Sequence, residues 1–243
     1  MTAPAVVLAA GMLVSAAVWL GLFRVTYLTV RIHNRIGLWI GGLVGLPGPY
    51  AFSIAATVWY VVLGVAVAAV VGHLAARPFL GPLVHRLPPS AALAVGLGIL
   101  GAFSLTAAAM TVISAVRPSV DVATAVSKVR WIEGIMRLPA AWRWVVPMIG
   151  ASVEEYVFRG VMYPALLAHG VGRLPAFAVA TGLFTAEQIG LTENLVQAIV
   201  IGISSLVVGG ICTLLWNQYH SVVPAIAVHA SFAGFYTSLS WRR

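Results

Sequence analysis

The sequence predicts an all-α protein, a polytopic bundle of about seven helices that cross a membrane. Composition is the first reason. Of 243 residues, 61% are hydrophobic and only 8% charged, with a mean hydropathy of +1.00. Soluble domains carry about a quarter charged residues, so too little polar surface remains to cover a water-soluble globule. The second reason is the length of the apolar runs. A bilayer-crossing helix needs about 20 mostly apolar residues, and seven stretches qualify: 4–23, 50–72, 91–116, 144–168, 174–191, 195–216 and 221–240. The cations supply the third. With the amino terminus outside, Arg24, Arg31, Arg35, Arg117, Lys128, Arg130, Arg137, Arg143, Arg242 and Arg243 fall in inner segments, against Arg77, Arg86 and Arg173 in outer ones. That asymmetry follows the positive-inside rule and puts the carboxyl terminus in the cytoplasm.

The first stretch lacks a basic flank and is followed by further spans, so it reads as a helix rather than a signal peptide. Segment 36–46 is too short to cross. Its Gly37, Gly41 and Gly45 make a stripe at four-residue spacing, stopped by Pro47-Gly48-Pro49. The stripe suits close helix approach, a re-entrant turn, or the start of a longer tilted span. Segment 118–139 mixes Lys128, Arg130, Glu133 and Arg137 with apolar residues and reads as an amphipathic helix on the inner surface. Trp142, Trp144 and Trp241 lie near inner boundaries, where interfacial aromatics belong.

Two parts follow from this order within one membrane domain. Residues 1–143 hold the amino-terminal helices and the amphipathic segment, and 144–243 form a four-helix core. The net charge of +8 is accounted for by orientation and anionic lipid headgroups rather than nucleic acid. Cys212 is the single cysteine, which excludes an intrachain disulfide.

Ionisable residues at membrane depth are costly and mark candidate sites. Here they are Glu154, Glu155, Arg159, Glu187 and His229. Glu155 and Arg159 stand four apart with the acid first, the favourable order for a helical ion pair. Glu154 points about 100° away, so Arg159 does not easily serve both carboxylates. An unpaired carboxylate at that depth is hard to explain by packing, and it suits a general base that activates water. His229 follows Pro224 in the last span. The fifth span contributes Phe184-Thr-Ala-Glu187-Gln188, with Glu187 read as a headgroup-level carboxylate.

Glu154-Glu155-x-x-x-Arg159-Gly160, then Phe184, then His229 in the last helix resembles the CPBP family. These are the CAAX-processing and bacteriocin-processing intramembrane proteases, also called Abi proteins, which include the Rce1-type prenyl-protein endopeptidases. The resemblance covers about 145–240 and implies a helical fold with a catalytic cavity open to the cytosol. It implies Glu154 as base, Glu155 and Arg159 as its support, and His229 as the last-helix histidine. Two positions depart from the family pattern. Gln188 stands where the second motif has histidine, and Ala233 where the third has asparagine or a similar polar residue. Glutamine can donate to an oxyanion but is no imidazole acid–base and a poor zinc ligand. A zinc site would need unusual ligands such as Glu187, so no metal and no cofactor is expected.

The leading reading is a glutamate-dependent intramembrane endopeptidase-like hydrolase of a prokaryotic plasma membrane, acting on a hydrophobic or lipid-modified, CAAX-type peptide. Glu154 would activate water. His229 and Gln188 would orient it or stabilise the oxyanion, Glu155–Arg159 would fix the helix, and Phe184 and Glu187 would face substrate. Glu154, Gln188 and His229 should therefore share one internal cavity. The rival is a non-proteolytic family member, either an enzyme on an isoprenoid-like molecule with Glu154 as acid or base, or a binding or immunity-type membrane protein. Membrane lipid is a partner under every reading.

Overall fold

The computed structural model describes residues 3–28, 30–76, 87–118 and 121–238. Arg77, Arg86, Trp241, Arg242 and Arg243 of the charge and interface argument lie outside them. The described residues are helical throughout, joined by short turns. Long apolar helices are the expected outcome, because only a helix satisfies every backbone group inside one segment in lipid. In chain order they are α1 (Ala3–Leu28), α2 (Val30–Leu43), α3 (Ala51–Leu74), α4 (Ser90–Val116), α5 (Val122–Ser127), α6 (Arg130–Met136), α7 (Trp142–Glu155), a π-helical segment (Tyr156–Met162), α8 (Tyr163–Ala168), α9 (Arg173–Gly190), α10 (Leu195–Tyr219) and α11 (Val223–Ser238).

Over the described residues, the body of each apolar stretch marked in the sequence falls on helix. Four helices are long and apolar enough to cross a membrane by length and composition: Pro4–Val25, Ala51–Leu74, Ser90–Val116 and Leu195–Tyr219. The other three stretches correspond to α7–π–α8, α9 and α11. The first two carry the glutamates and arginine of the candidate site, and α11 is only 16 residues long. The chain is an integral membrane protein. Its outer surface fits lipid: Val7, Leu13, Val14 and Val25 on α1 and Leu93, Leu97, Leu100 and Val116 on α4 are all exposed.

The core lies around the α7–π–α8 rod. Val157, Phe158, Met162, Tyr163 and Leu166 are buried there against Met12 and Trp19 of α1 and Leu63 and Val71 of α3. On the opposite side α4 packs on α10 and α11. It does so through a narrow stripe of Ala91, Gly98, Ala102 and Thr106, small residues that let helices approach without a hydrophobic driving force between them. Gly98 belongs to that contact, since a methyl there would come within 2.9 Å of Val228.

The structure resolves two segments that the sequence left open or drew more simply. Segment 36–46 holds the end of α2 and the turn after it, where the chain reverses through Gly45 (φ +68°) so that α2 packs along α3. The glycine stripe serves close approach. A Cβ on Gly37 would lie 1.8 Å from the carbonyl oxygen of Ala51, and one on Gly41 would lie 3.2 Å from that of Leu46. Over 121–138 the expected single amphipathic helix is two short ones. Asp121 caps α5 by accepting from the Thr124 backbone N–H at 3.0 Å. Val129, with φ −62° and ψ 123°, is extended and breaks the helix before α6 begins. The break turns Val126, Val129, Ile132 and Ile135 inward together, while Arg137 and Glu133 pair on the exposed side. The amphipathic pattern is therefore present, folded into a cap over the bundle.

Gly37→Ala should destabilise the α2–α3 hairpin, because the obstructing atom is backbone and cannot rotate aside. A loss of about 1–3 kcal/mol, typical of overpacking, should appear as a lower unfolding temperature in detergent. An unchanged melt would show that α2 does not pack as described.

Candidate active site

Four helices bring the polar residues together. Glu154 and Glu155 end α7, Arg159 lies in the π segment, Glu187 and Gln188 are near the end of α9, and His229 is in the middle of α11. A π segment widens the helix locally, a distortion common at functional sites, and here it carries the arginine of the pair.

Arg159 is 0% exposed, as is Glu155. Its Nη1 donates to Glu155 Oε1 at 3.2 Å, the ion pair expected from the i,i+4 spacing. Nη2 donates to the Gly209 carbonyl at 2.8 Å and Nε to Thr213 Oγ1 at 3.2 Å. The guanidinium also lies 4.6 Å from the Phe184 ring centroid, within cation–π range. Gly209 is required at this contact: a Cβ would stand 2.7 Å from Arg159 Nη2 and 2.9 Å from Phe184. Arg159 thus serves one carboxylate, as the helix geometry implied.

On its other side, Glu155 Oε1 lies 2.8 Å from His229 Nδ1. An ionised carboxylate is acceptor only, so Nδ1–H donates, and that bond fixes the tautomer. Nε2 is left facing the second acid, 3.5 Å from Glu154 Oε2. Phe184 sets its edge against the imidazole, with ring centroids 5.3 Å apart.

Glu154 turns to a different partner. Tyr60 of α3 places its hydroxyl 2.5 Å from Glu154 Oε1 and 2.9 Å from Glu187 Oε1. Gln188 Nε2 donates to Glu187 Oε2 at 2.8 Å. Glu187 is 2% exposed, so it is no headgroup-level carboxylate. The turn of α9 that carries it faces the bundle interior, with Phe184, Thr185 and Gln188 also buried.

A cavity of about 120 Å³ opens onto this cluster. Glu154, Gln188 and His229 all line it, as their shared site requires, with Tyr60 and an apolar wall that includes Phe52, Trp131 and Ile135. Phe184 and Glu187, expected at substrate, do not line it. Phe184 lies beneath Arg159 and His229 and borders a smaller cavity of about 60 Å³. Glu187 stands behind Tyr60 and Gln188. Among the described residues no three His, Cys, Asp or Glu side chains are gathered as a metal-binding group.

Tyr60 was not singled out from sequence, although a signal exists. Membrane tyrosines concentrate at the interfaces, whereas this one stands about 15 Å into its span at 1.5 Å per residue. Trp131 carries no such signal. It reaches the cavity only because the break at Val129 aims α6 inward.

A protein-family model described as type II CAAX prenyl endopeptidase Rce1-like matches residues 136–235. That stretch runs from the end of α6 into α11 and contains every site residue except Tyr60. Over 136–235 the chain is similar to this family. No curated protein and no solved structure matches the chain. The Rce1-like segment supplies the acids, the arginine, Gln188 and His229, and α3, outside it, adds the phenol and much of the cavity wall.

Arg159→Ala should leave the Glu155 carboxylate buried without its cation, a loss of about 3–5 kcal/mol. Arg159→Lys should recover only part of it, because an ammonium cannot span Glu155, Gly209 and Thr213 at once. Thermal melts of the two variants against wild type check this, and three equal curves would refute the supporting role.

Proposed function

We propose that this protein is a glutamate-dependent intramembrane endopeptidase acting on a hydrophobic or lipid-modified, CAAX-type peptide. The observation that carries the reading is the pair formed by Glu154 Oε2 and His229 Nε2, 3.5 Å apart at one cavity wall. With Nδ1–H committed to Glu155, a neutral imidazole presents a lone pair at Nε2, and Glu154 presents another. A water at the apex of that gap can donate one hydrogen to each. Its oxygen then faces the cavity, and Glu154 is placed to take the proton as the water attacks a peptide carbonyl. The Rce1-like match over 136–235 agrees with this chemistry.

Developing negative charge on the carbonyl oxygen needs donors held in place beforehand. Gln188 spends one amide N–H on Glu187, its amide also reaches Glu154, and it lines the cavity, where a substrate carbonyl oxygen can take over that second contact. Glutamine can therefore stabilise an oxyanion without moving protons. The apolar wall suits a greasy chain beside the scissile bond. Under the positive-inside reading the amino terminus is outside and the carboxyl terminus cytoplasmic, with the cavity reached from the cytosol.

Gln188 and Ala233, standing where the family pattern has histidine and a polar residue, favour one second reading. There the same cavity holds an isoprenoid-like molecule, and Glu154 protonates or deprotonates it. Position 188 separates the two. For a protease, Gln188→His should preserve or raise cleavage of a fluorogenic farnesylated CAAX peptide by protein in liposomes, and Glu154→Gln should lower kcat by at least about 10²-fold, the scale of a lost general base. No cleavage by wild type or by Gln188→His would refute the protease reading.

Chelators should leave the rate unchanged, and elemental analysis of untagged protein should give far less than one metal per chain. A stoichiometric metal lost together with activity would overturn the metal-free account.

A further inference from the structure

Tyr60 touches two carboxyl groups at once, 2.5 Å from Glu154 and 2.9 Å from Glu187, and a phenol has a single hydrogen. It can donate to one carboxylate only. The second contact is a hydrogen bond only if the other carboxyl group itself donates to the phenol oxygen. Two bare carboxylates on one buried hydroxyl would instead leave like charges facing each other in a low-dielectric site. The geometry therefore demands one proton beyond that of Tyr60, held within Glu187–Tyr60–Glu154.

The surroundings say on which side it rests. Glu154 faces the cavity, so water can solvate its charge, and the imidazole Nε2 that stands 3.5 Å from its Oε2 shares that water. Among the described residues, Glu187 has no cation in direct contact. The groups facing it are Tyr60 from α3, Glu154 from α7 and the Gln188 amide beside it. Arg24 of α1 is engaged a turn further on, donating to the Gly190 carbonyl at 2.8 Å. The charges nearest the far end of the relay are Glu155 and Arg159, which satisfy each other, with the neutral His229 imidazole between Glu155 and Glu154.

We propose that Glu187 is the proton reservoir of this site, joined to Glu154 through Tyr60, and that it replaces the proton that Glu154 gives to the leaving group. The inference rests on the hydrolytic reading above. The balance closes without a further reactant. Water adds its oxygen to the carbonyl carbon and gives a proton to Glu154. As the C–N bond breaks, one proton passes to the amine nitrogen from the Glu154 end, and the proton on Glu187 moves through the Tyr60 hydroxyl to replace it. The proton taken from water has left on the amine and the second water hydrogen stays on the new carboxylic acid, so the proton now on Glu154 returns along the same path to Glu187. Glu187 does not line the cavity, so it is a positioning and proton-holding residue that acts through Tyr60.

Two measurements test this. In the first, kcat and KM for the farnesylated CAAX peptide are followed against pH. Wild-type kcat should fall on the alkaline side, as the relay loses its proton. Glu187→Gln keeps the shape and has no proton to lose, so its kcat should drop about 10- to 100-fold, at or below the low end for general acid–base work, and the alkaline fall should vanish while KM stays. Tyr60→Phe, which cuts the connection and keeps Glu187, should show the same two changes. The second measurement needs no substrate: infrared spectra of the protein in nanodiscs at neutral pH. With only 6 Asp and Glu in the chain, a neutral carboxylic-acid C=O band can be assigned by substitution. Wild type should show it and Glu187→Gln should lack it. A wild-type kcat and alkaline limb in either variant, or a band that survives Glu187→Gln, overturns the proposal. If wild type cleaves no peptide, the protease reading fails separately, and the infrared band still decides where the proton sits.

Discussion

The structure turns on one buried charge. Arg159 has no exposed surface and lies in a helix that runs through the middle of the bundle, so its cost must be met on every side. Glu155 supplies the countercharge, Gly209 and Thr213 of α10 accept the remaining N–H groups, and the Phe184 ring covers the guanidinium face. These partners come from three helices, and satisfying the arginine fixes how α9 and α10 sit against the π segment. The same arrangement reaches the candidate chemistry. Glu155, held by Arg159, orients His229, and His229 Nε2 faces Glu154 3.5 Å away at the cavity wall. A side chain that touches no substrate thereby sets the position of those proposed to do so.

The two adjacent glutamates show how one helix gives identical residues different tasks. Glu155 faces the arginine and is consumed by structure. Glu154, about 100° round the helix, faces the cavity, a phenol and an imidazole edge. Their environments differ because the side chains leave the helix in different directions, and the π segment that follows adjusts the register of Arg159 beneath them.

Much of this was legible in the sequence, for definite reasons. Apolar runs of membrane length located the long helices, and the 155/159 spacing gave the ion pair, because both depend on periodicity alone. The convergence of Glu154, Gln188 and His229 came from resemblance to a motif set. What escaped the sequence depends on contacts between distant segments. Tyr60 lies 94 residues from Glu154, outside the Rce1-like segment, and a tyrosine in an apolar span announces no partner. Glu187 read as interfacial because its position near the end of α9 suggested depth but not direction. The break at Val129 that aims Trp131 at the cavity was equally hidden, since a β-branched residue only weakly disfavours helix and packing settled the matter.

The central claim is that Glu154 delivers a water to the scissile carbonyl rather than attacking it. A single turnover of farnesylated CAAX peptide in ¹⁸O-water, with enzyme in excess and the product carboxyl group analysed by mass spectrometry, tests it most directly. The account predicts one ¹⁸O in the new carboxylate of the first product formed and none in the glutamates of the protein. Unlabelled first product, with ¹⁸O appearing in Glu154, would show that the carboxylate itself had bonded to substrate and would contradict the account.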